Sequence, residues 1–91
     1  MMGRYTYGQA NKALEDMKTI TKYDNSFRPI VRWWDENAEE YQSEWYGYGQ
    51  ESDAVSNFMK HENAGLQPVL FLYNDHIEYE IVLLGELEDW A

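Results

Sequence analysis

The chain contains no cysteine, which excludes disulfides, thiolate-bound zinc and a cysteine nucleophile together. It has no long hydrophobic run either. The longest, Val69-Leu70-Phe71-Leu72-Tyr73, falls far short of the roughly 20 residues that cross a bilayer. No secretory hydrophobic segment follows Met1, so a cytoplasmic protein without a membrane partner is expected. The scarcest commodity is positive charge beyond Arg32, where Lys60 stands alone against fourteen acids. Residues 1–32 are different. They hold six basic side chains (Arg4, Lys12, Lys18, Lys22, Arg28, Arg32) and three acids, so the net charge of −10 belongs wholly to the remainder. A field of that sign repels nucleic acid and anionic lipid and draws in basic partners.

What is present suffices for a folded domain. Of the 91 residues, 44% are hydrophobic and 16% aromatic, enough for one core and one domain spanning 1–91. Trp, Tyr, Phe, Ile and Leu are interleaved with the acids, which distinguishes a folded surface from a disordered acidic tail.

Local patterns predict an α+β fold of about three helices packed on a C-terminal antiparallel hairpin or small sheet. Thr6-Tyr7-Gly8-Gln9 fits a capping box, and Ala10, Ala13, Leu14, Met17 and Ile20 follow at helical spacing. Asp24-Asn25-Ser26 reads as a turn. Residues 27–46 admit two readings. As a helix they align Ile30, Trp34, Ala38, Tyr41 and Trp45 in one stripe; alternatively Phe27–Trp34 is a strand with Phe27, Pro29, Val31 and Trp33 on one face, and the helix starts only at Asp35. The four-turn stripe favours the helix, with Pro29 in its first turn. Tyr46-Gly47-Tyr48-Gly49 then breaks it as a mobile linker. Ser52 or Asp53 caps a third helix that buries Val55, Phe58 and Met59 and stops at Gly65. Leu66, Pro68, Leu70 and Leu72 alternate along one strand, and Ile77, Tyr79, Ile81 and Leu83 along the next. A two-residue turn at Asn74-Asp75 would set Leu72 opposite Ile77 and Leu70 opposite Tyr79.

On the helical reading, Glu36, Glu40 and Glu44 line up at i, i+4, i+8 with about 6 Å between neighbours, and Asp35 and Glu39 run beside them. Each like-charge i, i+4 pair costs on the order of 0.2–0.5 kcal/mol, a local frustration of the kind that functional surfaces retain. Such a row of anions imitates one strand of a phosphate backbone. Glu51 and Asp53 extend it. Glu78 and Glu80, about 7 Å apart on the outward face of the last strand, would add a second row, continued by Glu86, Glu88 and Asp89. Tyr46 and Tyr48, set among glycines, are expected to be exposed aromatic anchors. The ordinary reading of each feature is a solvated helix or strand face and core aromatics.

Catalytic constellations are lacking. His61-Glu62 and Asp75-His76 are adjacent pairs whose side chains diverge. No H-x-x-x-H spacing suggests a metal, and Gly47 and Gly49 have no phosphate-loop lysine after them. The expected protein is not an enzyme, and no cofactor or metal is implied.

Small, cysteine-free, acidic and Tyr/Trp-rich chains of this kind resemble the phage-encoded inhibitors of bacterial defence nucleases, the anti-CRISPR and anti-restriction DNA mimics. Asp35-Glu36-Asn37-Ala38-Glu39-Glu40 and Glu86-Leu87-Glu88-Asp89 are the local features that carry the likeness. No motif is shared, so no residue role is transferred, and the net basic N-terminal third departs from the class. The resemblance implies a monomer or small homo-oligomer that docks acids on the basic surface of a nuclease or other nucleic-acid-binding protein. Alternatives are an immunity or antitoxin protein for a toxic nuclease, and a small structural or accessory subunit.

Overall fold

The computed structural model describes residues 5–85. In chain order it contains α1 (Tyr7–Tyr23), β1 (Phe27–Asp35), β2 (Glu40–Trp45), α2 (Glu51–Asn63), β3 (Val69–Asn74) and β4 (Tyr79–Leu84). The four strands form one antiparallel sheet in the order β2-β1-β3-β4. The fold is α+β, as expected, but with two helices and not three.

α1 begins where its capping box predicts. Thr6 Oγ1 accepts from Gln9 N–H at 3.2 Å, and Gln9 Oε1 accepts from Thr6 N–H at 2.8 Å. Ala10, Ala13, Met17 and Thr21 form its buried stripe, at the spacing that keeps them on one face. α2 buries Val55 and Phe58, with Met59 partly covered, as its periodicity requires. Both helices cover one face of the sheet. There Val31, Leu70, Leu72 and Leu84 meet Ala13, Met17, Ala54 and Phe58 in a single cluster. Each of the Val, Leu, Met and Phe side chains among them contributes roughly 1.5–3 kcal/mol on burial.

The helix expected over 27–46 is instead the hairpin β1–β2, with residues 36–39 as its turn. Ile30, Val31, Trp33 and Trp34 favour a pleated, half-buried surface, and packing on both sides of β1 outweighs the helical stripe. Pro29 explains part of the ambiguity. In this register it stands opposite Tyr46, where the ladder needs an N–H that proline lacks. Tyr46 N–H donates to Pro29 O at 2.9 Å, and the unmatched Tyr46 carbonyl accepts from Arg28 Nε at 3.2 Å. An arginine beside the proline thus replaces the missing donor.

The C-terminal hairpin forms, in a different register. Its turn spans residues 75–78, so Leu72 pairs with Ile81 and Asn74 with Tyr79, and Leu70 pairs with Leu84 across an irregularity at Leu70/Phe71. The expected partners Leu72–Ile77 and Leu70–Tyr79 are not made. Leu72 moves from Ile77 to Ile81, an even number of residues, so it still meets an apolar partner on the helix-covered face. Asn74 decides the longer turn. Its Oδ1 accepts from His76 N–H at 3.0 Å, and its Nδ2 donates to Asp24 Oδ2 at 3.3 Å, leaving it buried.

Candidate functional site

The long edge formed by β2 carries most of the candidate acids, though not as a helical row. Asp35 ends β1, and its Oδ1 accepts from the N–H groups of Asn37 and Ala38 at 3.0 and 3.2 Å. That Asx turn projects Glu36 and Glu39 into solvent at the hairpin tip, with Glu40 opening β2. Strand alternation then places Glu40, Gln42 and Glu44 on the helix side of β2. Glu40 and Glu44 stand about 13 Å apart by strand rise.

At its far end this edge meets α2. A groove of about 480 Å³ lies between them, lined by Glu44, Trp45, Tyr46, Gln50, Asp53, Ser56, Asn57 and Lys60. Its wall is a hydrogen-bonded triad. Glu44 Oε2 accepts from Tyr46 Oη–H at 3.1 Å and from Asn57 Nδ2 at 2.9 Å, and Asn57 Nδ2 also lies 2.6 Å from Tyr46 Oη. Burial pushes the Tyr46 phenol up to about 12; the bond from Asn57 works the other way, and the Glu44 carboxylate adds to the rise. The phenol is therefore a donor at neutral pH and holds the Glu44 carboxylate in one orientation.

Asp35, Glu36, Glu39, Glu40 and Glu44 thus follow one edge from tip to groove, and Asp53 lines the groove from α2. Among the described residues none of the six makes an ion pair, whereas Lys12 and Asp16 pair on α1. Lys60 is the cation that the groove contains.

Four of the candidate residues take other roles. Tyr46 is 7% exposed and belongs to the core, because β2 ends there and turns its ring under α2. Glu51 is buried at the start of α2, where its Oε2 accepts from Gly49 N–H at 2.7 Å. The linker it closes is held, not mobile, since Gly47 N–H also donates to Gln50 Oε1 at 2.7 Å. Glu78 lies in the β3–β4 turn, and Glu80 on β4, opposite Tyr73. Their hairpin points the opposite way along the sheet and forms its other edge, so they do not extend the first patch. Tyr48 is exposed, as expected. Glu86, Glu88 and Asp89 lie outside the described residues.

Sequence reasoning missed two things. Asn57, which anchors Glu44, carries no signal in a polar helix face. The second is the helix-free face of the sheet, where Arg28, Ile30, Arg32 and Trp34 of β1 alternate beside Tyr41, Ser43 and Trp45 of β2 and Val69, Phe71 and Tyr73 of β3. The alternate positions of β1 held that signal once the segment is read as a strand. His61 stacks on Trp33 at 4.2 Å on the other face. Its pKa is lowered by burial and by Lys60, against a smaller opposing pull from Glu44.

Among the described residues, no group of three His, Cys, Asp or Glu is arranged to hold a metal, and no helix is long and apolar enough to cross a membrane. Comparison with family models, curated proteins and solved structures found no match.

Proposed function

We propose that this is a binding protein that inhibits a nucleic-acid-binding effector, a CRISPR or restriction nuclease, by docking its acidic β2 edge on the basic channel that the effector uses for nucleic acid. One observation carries the reading: five carboxylates follow a single edge, with Asp53 of α2 beside its groove end, and none of the six has a cation paired to it among the described residues. Against Lys and Arg they stand in for phosphates, and carboxylate–guanidinium contacts are charge-assisted and often bidentate. Exposed Tyr48, in the linker that follows β2, supplies an aromatic contact beside them. Glu44 is oriented by Tyr46 and Asn57 before any partner arrives, which reduces the ordering cost of binding. An immunity or antitoxin protein would use the same contacts against a different nuclease.

The test is the binding of a basic nuclease to the protein carrying Glu36→Gln, Glu39→Gln and Glu40→Gln together. The association rate is expected to fall roughly tenfold, and the rate of the parent protein to fall steeply with added salt. Glu78→Gln with Glu80→Gln, at the other edge, is expected to change little. Equal losses from the two sets, or none from the first, defeat the reading. Association that resists salt points instead to an accessory subunit held by aromatic contacts.

A further inference from the structure

The two edges of the sheet are guarded unequally. β2 carries Glu40 and Glu44 along one edge. β4, the other edge, reads Tyr-Glu-Ile-Val-Leu-Leu, with no proline, no lysine and Glu80 as its one charge. Charge and proline are what ordinarily keep an edge strand from pairing with another chain. The register shows which backbone groups of β4 face outward. Tyr46 N–H donates to Pro29 O at 2.9 Å, so Pro29 faces β2, and its other partner Leu72 turns its N–H and C=O toward β4. Leu72 pairs with Ile81, so Ile81 faces inward, while Glu80 and Val82 present N–H and C=O to the free edge. Among the described residues no strand pairs with them.

The surroundings of that edge are open too. Tyr79 and Val82 are exposed. Between α1 and β4 lies a cavity of about 220 Å³ lined by Tyr5, Ala13, Leu83 and Leu84, with the Lys12–Asp16 ion pair at its side.

This edge is complementary to itself. A twofold axis perpendicular to the sheet sets two β4 strands antiparallel with both helix layers on one side. Side chains then match faces only between residues an even number apart, which leaves three registers. Glu80 opposite Glu80 brings like charges together. Val82 opposite Val82 sets Glu80 against Leu84, past the irregularity at Leu70/Phe71. Glu80 opposite Val82 avoids both. Its two pairs exchange four N–H···O=C bonds, Ile81 meets Ile81 of the second copy on the axis, and Tyr79 of each chain comes beside Leu83 of the other, at the cavity.

We propose that β4 is a self-pairing edge: a second copy joins it antiparallel, Glu80 against Val82, with Tyr79 of each chain seated at the cavity between α1 and β4 of the other. The joined sheet has eight strands, and the two β2 edges stand at its ends, about 34 Å apart. The inference is independent of the nuclease reading, because it concerns the opposite edge and needs no other protein.

The experiment is sedimentation of the full chain over a concentration series, with disulfide trapping to fix the register. The average mass is expected to rise from one chain toward two and no further. Two chains of net charge −10 repel, so added salt should strengthen the association. Val82→Pro removes an N–H that the intrachain ladder does not use and should weaken association about tenfold or more, while Val82→Thr, which keeps it, should associate as the parent does. Tyr79→Ser, which leaves the backbone intact, should also weaken it. The chain has no cysteine, so single cysteines report the pairing. Ile81→Cys places two Cα atoms about 4.5 Å apart, inside disulfide range, whereas Tyr79→Cys places them roughly 14 Å apart along the strands. Ile81→Cys should therefore cross-link about tenfold faster, although Tyr79 is the more exposed.

A parent protein that stays monomeric up to about 1 mM, at high salt as at low, overturns the proposal. So does growth beyond two chains, equal association in Val82→Pro and the parent, or equal loss in Val82→Pro and Val82→Thr. Association that salt weakens assigns the contact to the lysines of α1 against the acidic edge and overturns it, and so does a Tyr79→Cys that cross-links as fast as Ile81→Cys.

Discussion

The two hairpins of this protein are built on the same turn and used differently. In β1–β2, Asp35 accepts from the backbone N–H two residues on, the loop covers 36–39, and it ends in Glu39 at φ 53°. In β3–β4, Asn74 accepts from the N–H two residues on, the loop covers 75–78, and it ends in Glu78 at φ 51°. Both close with a glutamate in the left-handed region, where glycine is usual. The strands they join differ. β3 is central and almost wholly buried, whereas β2 is an edge strand with no buried residue. The same turn is part of the scaffold in one hairpin and a projecting tip in the other. An edge strand with few core obligations is free to gather carboxylates, and this one does.

The largest expected effect comes from testing that difference in burial. Leu72→Ala removes a side chain with 0% exposure from β3 and is expected to cost about 2–5 kcal/mol. Gln42→Ala, mid-strand in β2, should cost under about 0.5 kcal/mol. Urea unfolding of both variants measures the contrast, and comparable losses would mean that β2 carries the fold as β3 does. Next in size is the residue that closes β2. The folded pKa of Tyr46 is raised to about 12, above its ordinary value of 10. Folding thus favours the protonated phenol, and its contribution is intact below pH 10 and lost as pH rises from 10 toward 12. The loss is roughly 3 kcal/mol. Tyrosinate absorbance should show a step near 12 that is missing in Tyr46→Phe; an unchanged titration would break the link between β2 and α2.

The second hairpin was legible in the sequence and the first was not, for physical reasons. Residues 69–84 alternate around a polar turn, and alternation survives an error in turn length when the shift is even, as with Leu72 and Ile81. Residues 27–46 satisfy two periods at once. Ile30, Trp34, Tyr41 and Trp45 lie on one side of a helix and also on one face of the hairpin β1–β2, so the pattern alone cannot choose. Tertiary packing chose, along with the arginine that serves the carbonyl opposite Pro29. The acidic character of 35–44 was legible because charge needs no geometry. That Tyr46 and Glu51 turn inward was not, since both follow from where β2 ends and α2 begins. Arg28 and Arg32 as a face were hidden by the same helical reading.

The smallest expected effect asks whether the two turns are energetically alike. Glu39 and Glu78 both hold left-handed backbone, which costs a residue with a Cβ on the order of 1 kcal/mol. Replacing either with glycine relieves that strain, while the more flexible unfolded chain takes back part of the gain. A net stabilisation of roughly 0.5 kcal/mol is expected for each, read from the thermal midpoint. If the turns are equivalent scaffolding, Glu39→Gly and Glu78→Gly shift the midpoint equally. For Glu39 a second term enters. It lies at the tip that also carries Asp35, Glu36 and Glu40, so removing its charge relieves like-charge repulsion that Glu78 does not feel to the same degree. Glu39→Gly should then gain more than Glu78→Gly at low salt, and the excess should vanish when salt screens the tip. Equal gains at every ionic strength would show that the four carboxylates of the tip do not act as one charged patch.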